Sequence, residues 1–363
     1  MATPEETTWP IEPHTIAKHK ILRKYLSAWF PILNRYHKRL VYLDGFSGPG
    51  IYKGGEPGSP IIALKTASEH FRPINGEAIF LFIEERADRA DNLKREVGKL
   101  TLPATFRVHI ESSQFEQTVT GILDALDKEA QGLAPTFAFV DPFGFSGLPF
   151  DLLERLLKHD RSEAFITFMV ESVNRFVEAP NDEIKAHIRA LFGTDRVFDV
   201  VAGSGDRVKA IAQLYKSQLQ KVGRYVRSFQ MRDRNDRVIY YLQFVTKHPL
   251  GHLKMKEAMW QVDLEGDFAF SDATDPTQEV LFRKEHDKDL FSILRRVFGG
   301  QTIQVAQIRT FVRDQTAYID KHMISSLRFA EPAGAIQVAP AKFDGSKRRK
   351  NSFPDDALIT FPQ

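Results

Sequence analysis

A glycine-rich loop after the first short apolar run of the chain has the residue types of a ligand-binding turn. The apolar run 40–43 predicts a strand. The loop that follows it contains, in order, Asp44, Gly45, Phe46, Ser47, Gly48, Pro49 and Gly50. Glycine allows a tight turn and a close approach of the backbone to a ligand. Because backbone N–H groups in such a turn hold carboxylates, the loop predicts a site for a ligand that carries an amino-acid group.

Acidic residues stand at the ends of the next two predicted strands. Glu84 follows the apolar stretch 77–83, and Glu111 and Ser112 follow the stretch 105–110. In an open sheet of parallel strands, ligands bind beyond the carboxyl ends of the strands. We therefore expect Glu84 to accept hydrogen bonds from both hydroxyls of a ribose, and Glu111 or Ser112 to reach an adenine.

Strand and helix patterns alternate five times along the first half of the chain. The predicted strands are 40–43, 77–83, 105–110, 135–140 and 164–170. Stretches 225–231 and 238–245 then read as two strands of a hairpin around residues 233–236. This alternation predicts an α/β fold with a parallel sheet covered by helices on both faces and completed by the hairpin.

The loop, the acids and the order of elements together resemble the S-adenosylmethionine site of Rossmann-like class I methyltransferases. The hydrophobic-D-x-F-x-G-x-G form at 43–50 is similar to that of nucleic-acid methyltransferases. The resemblance implies that the cofactor is bound by Asp44, Gly45, Phe46, Ser47, Gly48, Gly50, Glu84, Glu111 and Ser112. A nicotinamide site needs a glycine motif that opens a helix directly, and here the insert 51–58 intervenes. A turn shaped by Asp44 and the glycines without a ligand is the alternative.

The tetrapeptide Asp141-Pro142-Phe143-Gly144 follows the fourth predicted strand and resembles the D-P-P-Y type motif of amino-methyltransferases. In that motif, an acceptor side chain and a backbone carbonyl hold an exocyclic amine, while an aromatic ring stacks on the base. The resemblance implies these roles for Asp141, the Pro142 carbonyl and Phe143. The D-P-F-G form is similar to that of tRNA guanine-N2 methyltransferases, and the match ends at Gly144. A strand-ending turn without catalytic function is the alternative.

The chain of 363 residues contains no cysteine. This composition excludes disulfides, thiolate metal sites and a cysteine nucleophile. Methyltransferases that act on C5 of cytosine or uracil need such a nucleophile, so the expected acceptor is an amine or another heteroatom. A base inside a duplex must first be flipped into the pocket. The sequence predicts no metal site, and the lack of paired carboxylates argues against a nuclease.

Basic side chains are concentrated in three stretches although the net charge is only +3. The first stretch, 13–43, has seven basic residues and no acid, and the second is 207–237. The third contains Lys347, Arg348, Arg349 and Lys350. Such stretches suit a phosphate backbone, and a solvated surface is the alternative.

The N-terminal part of the chain predicts a helix without a targeting segment. Residues 14–38 are amphipathic, and His14, Lys18 and Tyr25 lie roughly on one face of the predicted helix. A helix of this kind could cover the cofactor or line the acceptor pocket. The first ten residues lack the basic and apolar regions of a secretory signal, and the longest apolar runs have strand length. We therefore expect a cytoplasmic protein that does not enter a membrane.

The C-terminal part predicts a second domain. Helical patterns at 290–298, 305–312 and 320–330 precede short strands at 335–338 and 357–361, which flank the basic cluster 347–350. Three helices and a two-stranded wing predict a winged helix-turn-helix domain, whose wing would contact nucleic acid through this cluster. We thus predict a Rossmann-like methyltransferase domain at 1–265, a linker at 266–285 and a winged-helix domain at 286–363.

Motifs across nearly the whole chain closely resemble the bacterial family of three-Cys-motif partner proteins. The motifs are His14-Thr15-x-x-Lys18-His19, residues 42–50, Gly58-Ser59-Pro60, residues 140–144, Tyr240-Tyr241-Leu242, Lys247-His248-Pro249 and residues 256–260. The resemblance implies a methyltransferase-like fold, a bacterial or mobile-element origin and a three-cysteine iron–sulfur partner protein.

Two functional hypotheses follow from these patterns. The first is S-adenosylmethionine-dependent methyl transfer to an exocyclic amine of a base in DNA or RNA. The second is a catalytically silent scaffold that binds nucleic acid and works with the three-cysteine iron–sulfur partner, because a fold alone does not establish a function.

Overall fold

The computed structural model describes residues 4–263, 266–273, 285–339 and 348–363, which divide into two compact units. The first unit contains the described residues up to Val262 together with 269–273, and the second contains the rest. None of the described helices combines the length and the apolar composition needed to cross a lipid bilayer.

The first unit is built on one eight-stranded sheet. Its helices and strands are, in chain order, α1 (Pro13–Asn34), β1 (Arg39–Asp44), α2 (Ser59–Ser68), β2 (Glu77–Ile83), α3 (Ala87–Gly98), β3 (Phe106–Glu111), α4 (Phe115–Lys128), β4 (Thr136–Val140), α5 (Phe150–Leu157), β5 (Ser162–Phe168), α6 (Val170–Phe176), α7 (Asp182–Phe192), α8 (Arg196–Gly203), α9 (Arg207–Val222), β6 (Tyr225–Arg232), β7 (Val238–Thr246), α10 (Pro249–Met259) and β8 (Ala269–Ser271).

The strand order in the sheet is β3-β2-β1-β4-β5-β7-β6-β8. Strands β1 to β5 are parallel to one another, whereas β7 is antiparallel to β5 and β6. The prediction of an α/β protein with a large parallel sheet and an appended hairpin is therefore confirmed. The winding reverses direction at β1, so that the carboxyl ends of β1 and β4 enclose a crevice of the kind in which ligands bind.

Helix α1 covers one face of the sheet through a row of aromatic side chains. The ring of Tyr25 lies 5.2 Å from that of Phe137 on β4, and Phe30 lies 5.9 Å from Phe80 on β2. The Tyr25 hydroxyl donates a hydrogen bond of 2.5 Å to the buried carboxylate of Glu163 on β5. Because these contacts fix the rotation of α1, they also determine which side chains of its first turns face the crevice.

Two parts of the sheet differ from the predicted pattern. The apolar run predicted as one strand to Val170 ends as a strand at Phe168, and Val170 begins the short helix α6. Hydrophobicity does not separate these two elements, because Val170 and Val173 of the helix are buried as completely as the strand is. Residues 269–271, within the predicted linker, form the edge strand β8 beside β6.

The second unit contains three helices and a small antiparallel sheet. Its elements are α11 (His286–Phe298), β9 (Thr302–Gln304), α12 (Val305–Gln315), α13 (Asp320–Ala330), β10 (Gln337–Val338) and β11 (Leu358–Thr360). Strand β11 pairs with both β10 and β9. The strand β9 was not predicted, because two of its three residues are polar and only Ile303 is buried.

The packing of α1 on the sheet gives a stability prediction. Phe137 is fully buried among Tyr25, Trp29 and Tyr42. We expect Phe137→Ala to lower the free energy of unfolding by about 3–5 kcal/mol, because it removes aromatic contacts and leaves a cavity. Phe71→Ala is the control, since the Phe71 side chain is 81% exposed. Urea unfolding that gave the two variants equal midpoints would contradict this account of the core.

Candidate active site

The glycine-rich loop lies at the carboxyl end of β1, beside the end of β4. Gly48 and Gly50 have φ angles of +63° and +81°, which residues with a Cβ rarely adopt. A Cβ at Gly50 would also lie only 2.7 Å from a methyl carbon of Leu93. The backbone path of the loop therefore depends on glycine at both positions.

Asp44 is the last residue of β1 and is completely buried. The Tyr42 hydroxyl donates to its Oδ2 at 3.2 Å, and no described residue donates a well-formed hydrogen bond to its Oδ1. Burial raises the pKa of Asp44 to about 7, and the neighbouring carboxylate of Asp141 adds to this rise. The nearby Ser59 hydroxyl opposes the rise without reaching hydrogen-bond geometry.

A cavity of about 270 Å³, here called the Asp141 cavity, lies between the loop, the start of α1, the end of β4 and the start of β7. Its chemically active lining residues include His14, Lys18, His19, Tyr52, Asp141 and Tyr240. The Lys18 ammonium donates to both carboxylate oxygens of Asp141, at 2.7 Å and 2.5 Å. The side chains of Lys18 and Asp141 are 6% and 23% exposed, so this ion pair is largely shielded from water.

His14, which lines the same cavity, belongs to a second polar pair. The Nδ1 atom of His14 lies 2.9 Å from Oδ2 of Asp272, in the turn after β8. The His14 ring also meets the ring of Tyr240 edge-on at 5.5 Å. The Tyr240 hydroxyl is buried and has no hydrogen-bond partner among the described residues. These groups leave polar atoms available at the cavity wall.

The segment before α1 covers part of the loop. Trp9 packs edge-on against Phe143 and Tyr52, with ring centroids 5.7 Å apart in both cases. The buried guanidinium of Arg89 lies 4.6 Å from the Trp9 ring. Burial lowers the pKa of the neighbouring His19 to about 3, and the Lys18 ammonium contributes to this change, so the His19 ring is neutral.

A second cavity of about 620 Å³, here called the Glu84 cavity, adjoins the ends of β2 and β3. Glu84 lines it and accepts hydrogen bonds from the backbone N–H of Gly48 at 2.9 Å and of Arg86 at 3.0 Å. Burial nevertheless raises the pKa of the Glu84 carboxyl above its usual value. One carboxyl group therefore connects the glycine-rich loop with the start of α3.

Three residues line both cavities: Phe46, Pro142 and Phe143. Phe46 stacks on Phe115 at the start of α4, with centroids 5.6 Å apart. Gly45 and Gly144 line only the Glu84 cavity, whereas Ser47, Gly48 and Gly50 line only the Asp141 cavity. Most residues predicted from the first loop and from the tetrapeptide thus surround two adjoining spaces.

The structure differs from the prediction at the end of β3. Glu111 and Ser112 are exposed and line neither cavity, whereas Ser113, Gln114 and Phe115 line the Glu84 cavity. The strand ends one residue later than predicted, so that the chain reaches the crevice only at the start of α4.

No motif reveals how several residues of the site come together. Trp9 and Arg89 belong to separate elements, and only the tertiary fold brings them together. Tyr240 was part of a motif quoted for the family resemblance, but its position in the cavity follows from the antiparallel return of β7 beside β5.

The C-terminal basic cluster lies in the second unit, and Lys347 falls outside the described residues. Arg348 forms an ion pair with Glu331 and donates to the Ser352 carbonyl at 2.7 Å, with a side chain that is 7% exposed. Arg349 and Lys350 are exposed. Within the described part of this cluster, two cations therefore face solvent, and Arg348 stabilises its own unit instead.

Comparisons with known proteins give structural similarity alone. No family model and no curated protein sequence matches the chain. A protein of family DUF519 from Legionella pneumophila is similar over 69% of this chain and 92% of its own, with 14% identity and a TM-score of 0.42. A protein from Klebsiella pneumoniae, proposed to be an O-methyltransferase, is similar over 66% and 92%, with 12% identity and a TM-score of 0.32. A proposed methyltransferase from Porphyromonas gingivalis W83 is similar over 61% and 40%, with 12% identity and a TM-score of 0.28.

The ion pair between Lys18 and Asp141 gives the first prediction for the site. Lys18→Met leaves a mostly buried carboxylate without its partner, so we expect the free energy of unfolding to fall by about 3 kcal/mol. The double variant Lys18→Met/Asp141→Asn should recover part of this loss. Lys53→Met, which breaks a pair with Glu6 whose side chains are 61% and 64% exposed, is the control and should cost no more than about 1 kcal/mol. Additive effects of the two substitutions in urea unfolding would contradict the coupling.

The burial of Asp44 gives a pH prediction. Its folded-state pKa of about 7 lies above the unfolded value of about 3.9, so the group takes up a proton on folding. Its contribution to stability is complete below about pH 4 and is lost as the pH rises through 7. We expect the stability of Asp44→Asn relative to the unchanged protein to increase by roughly 3 kcal/mol from pH 5 to pH 8. Unfolding midpoints at both pH values test this, and the exposed substitution Asp91→Asn should leave the pH dependence unchanged.

Proposed function

We propose that this protein is an S-adenosylmethionine-dependent methyltransferase that acts on an exocyclic amine of a nucleic-acid base. The observation that carries the proposal is that two cavities at the carboxyl ends of the parallel strands share the wall formed by Phe46, Pro142 and Phe143. One cavity has a carboxyl group suited to a ribose, and the other has a carboxylate suited to an amine. The strand order, with a hairpin added after five parallel strands, supports the same proposal.

The residues of the Glu84 cavity fit an adenosyl group. Each Glu84 oxygen accepts one backbone N–H, and each retains a second lone pair for a ribose hydroxyl. Phe46, Phe115 and Phe143 provide apolar surfaces for a planar base. When bound, S-adenosylmethionine would supply an electrophilic methyl group at the shared wall. The glycine-rich loop would hold the amino-acid end of the cofactor through its backbone N–H groups.

The residues of the Asp141 cavity fit an acceptor amine. A carboxylate has about four lone-pair positions, and Lys18 occupies two of those on Asp141. The remaining positions and the Pro142 carbonyl can accept the two hydrogens of an exocyclic amine, which orients the nitrogen lone pair. Phe143 offers a ring on which the base can stack. Lys18 fixes the Asp141 carboxylate through these two hydrogen bonds, and it therefore acts as a positioning residue.

His14 is the proposed proton acceptor. Methyl transfer to an amine leaves a positive charge on the nitrogen, which is removed when one proton departs. The hydrogen bond to the Asp272 carboxylate places a proton of His14 on Nδ1, and in the neutral ring Nε2 is then an acceptor. Because His14 lines the cavity, its Nε2 is a suitable destination for that proton.

The scaffold hypothesis is the second candidate, and one observation favours it. Both oxygens of Asp141 already accept hydrogen bonds from Lys18, which is the arrangement expected of a purely structural ion pair. In this proposal, the three-cysteine iron–sulfur partner supplies the chemistry. The second unit, as a winged helix, holds the nucleic acid through Arg349 and Lys350.

Cofactor binding and methyl transfer test the two candidates separately. We expect isothermal titration calorimetry to detect S-adenosylhomocysteine binding, and Glu84→Gln to weaken that binding at least tenfold, since an amide cannot accept both backbone N–H groups and the ribose hydroxyls. Glu129→Gln, at the far end of α4, is the control. Absence of binding to the pure, cofactor-stripped protein would exclude the methyltransferase.

Substitution of Asp141 separates catalysis from scaffolding. For the enzyme, Asp141→Asn should retain cofactor binding while the transfer of a labelled methyl group to nucleic acid falls at least a hundredfold, through loss of the charged acceptor. The Asp91→Asn variant should transfer at the unchanged rate. If Asp141→Asn transferred methyl groups normally, the proposed role of Asp141 would be wrong.

A further inference from the structure

A basic groove of about 590 Å³ lies on the outside of the first unit, between α1 and α2. Its cationic side chains are Lys20, Arg23 and Lys24 from α1 and Lys65 from α2. Ser27, Thr66, His70 and Gln261 add polar groups, and the one carboxylate of the lining is Glu69. The groove therefore has a clear excess of positive charge, although the chain as a whole carries only +3.

The four cations of the groove are exposed to solvent. None of them forms a salt bridge with a residue in the described part of the chain. Some cations elsewhere on this unit are neutralised instead: Lys94 pairs with Asp91, Lys99 with Glu96, and Arg155 with Asp124 and Asp127. Unpaired cations in a concave surface attract a polyanion more strongly than cations that a neighbouring carboxylate already neutralises.

The two helices that form the groove both begin at the Asp141 cavity. The first turns of α1 contribute His14 and Lys18 to that cavity, and Ser59 does so at the start of α2. Lys20 follows Lys18 by two residues, and Lys24 lies about 9 Å further along the axis than Lys18 at a rise of ~1.5 Å per residue. Measured along α1, the groove therefore begins within one helical turn of the Asp141 cavity.

We propose that this groove binds the sugar–phosphate backbone of single-stranded nucleic acid next to the base that enters the Asp141 cavity. The inference rests on the proposed function, because it assigns the path of the acceptor. Lysine and arginine in a groove bind phosphates by releasing counterions, without reading sequence. An exposed aromatic ring adjoins the groove: Phe71 is 81% exposed and lies 4.6 Å from the His70 ring. Such a ring is a stacking surface for an unpaired base.

Oligonucleotide binding by matched charge variants of the full chain tests the proposal. Fluorescence anisotropy with labelled single-stranded 20-mers of DNA and RNA, measured at several salt concentrations, gives the affinity and its salt dependence. We expect Lys20→Gln/Arg23→Gln/Lys24→Gln to weaken binding at least tenfold at 100 mM salt. The slope of log K against log salt should become less steep by about 2, because three phosphate contacts are lost at about 0.7 each.

The matched control removes the same charge elsewhere. Lys94→Gln/Arg95→Gln/Lys99→Gln changes α3 and the residue directly after it. The two lysines are already paired there, so this variant should bind within twofold of the unchanged protein. Equal loss in both triple variants would overturn the proposal, since net charge alone would then explain it. Unchanged binding by the groove variant would also overturn it.

Two further measurements identify the ligand class and separate this proposal from the function. Vesicles containing phosphatidylserine should not be bound more tightly than the oligonucleotides; tighter binding that the groove substitutions abolish would identify a membrane surface and overturn the proposal. The groove variant should bind S-adenosylhomocysteine as tightly as the unchanged protein does. If the cofactor is not bound while the groove variant still loses oligonucleotide affinity, the proposed function fails and the groove assignment stands.

Discussion

The reversal of winding direction at β1 is the constraint on which the site depends. Strands β2 and β3 lie on one side of β1 and strands β4 and β5 on the other, so the connections after β1 and β4 diverge. This divergence leaves space beyond the ends of the two strands, and it brings Asp44 and Asp141 to the same edge of the sheet. Helix α1 closes the space from one side, because its aromatic side chains are fixed against β4.

Three acidic side chains meet in this small region, and each is accommodated by a different physical means. Asp44 is buried without an ionic partner, and its raised pKa favours the neutral form at low pH. Asp141 is paired with Lys18, whereas Glu84 accepts two backbone N–H groups. The three groups differ in availability, because Glu84 and Asp141 line cavities whereas Asp44 lines neither of the two.

The basic stretches of the sequence have different roles in the folded protein. Arg348 is used inside the second unit, and Arg207 and Arg232 from the second stretch pair with Glu178 and Asp236. The stretch on α1 is divided between two roles, since Lys18 turns inward to Asp141 while its neighbours face the groove. The helical period, rather than the number of charges, decides which lysine takes which role.

The sequence by itself determined the alternation of strands and helices, the glycine-rich turn at 44–50 and the acids at strand ends, because these features depend on local periodicity and backbone freedom. It did not reveal the ion pair of Lys18 with Asp141, the contact of Arg89 with Trp9, or the replacement of Glu111 and Ser112 by Ser113 and Gln114 at the cavity. These depend on the rotation of α1 against the sheet and on the residue at which β3 ends. Both are set by packing between segments far apart in the chain, which no local pattern records.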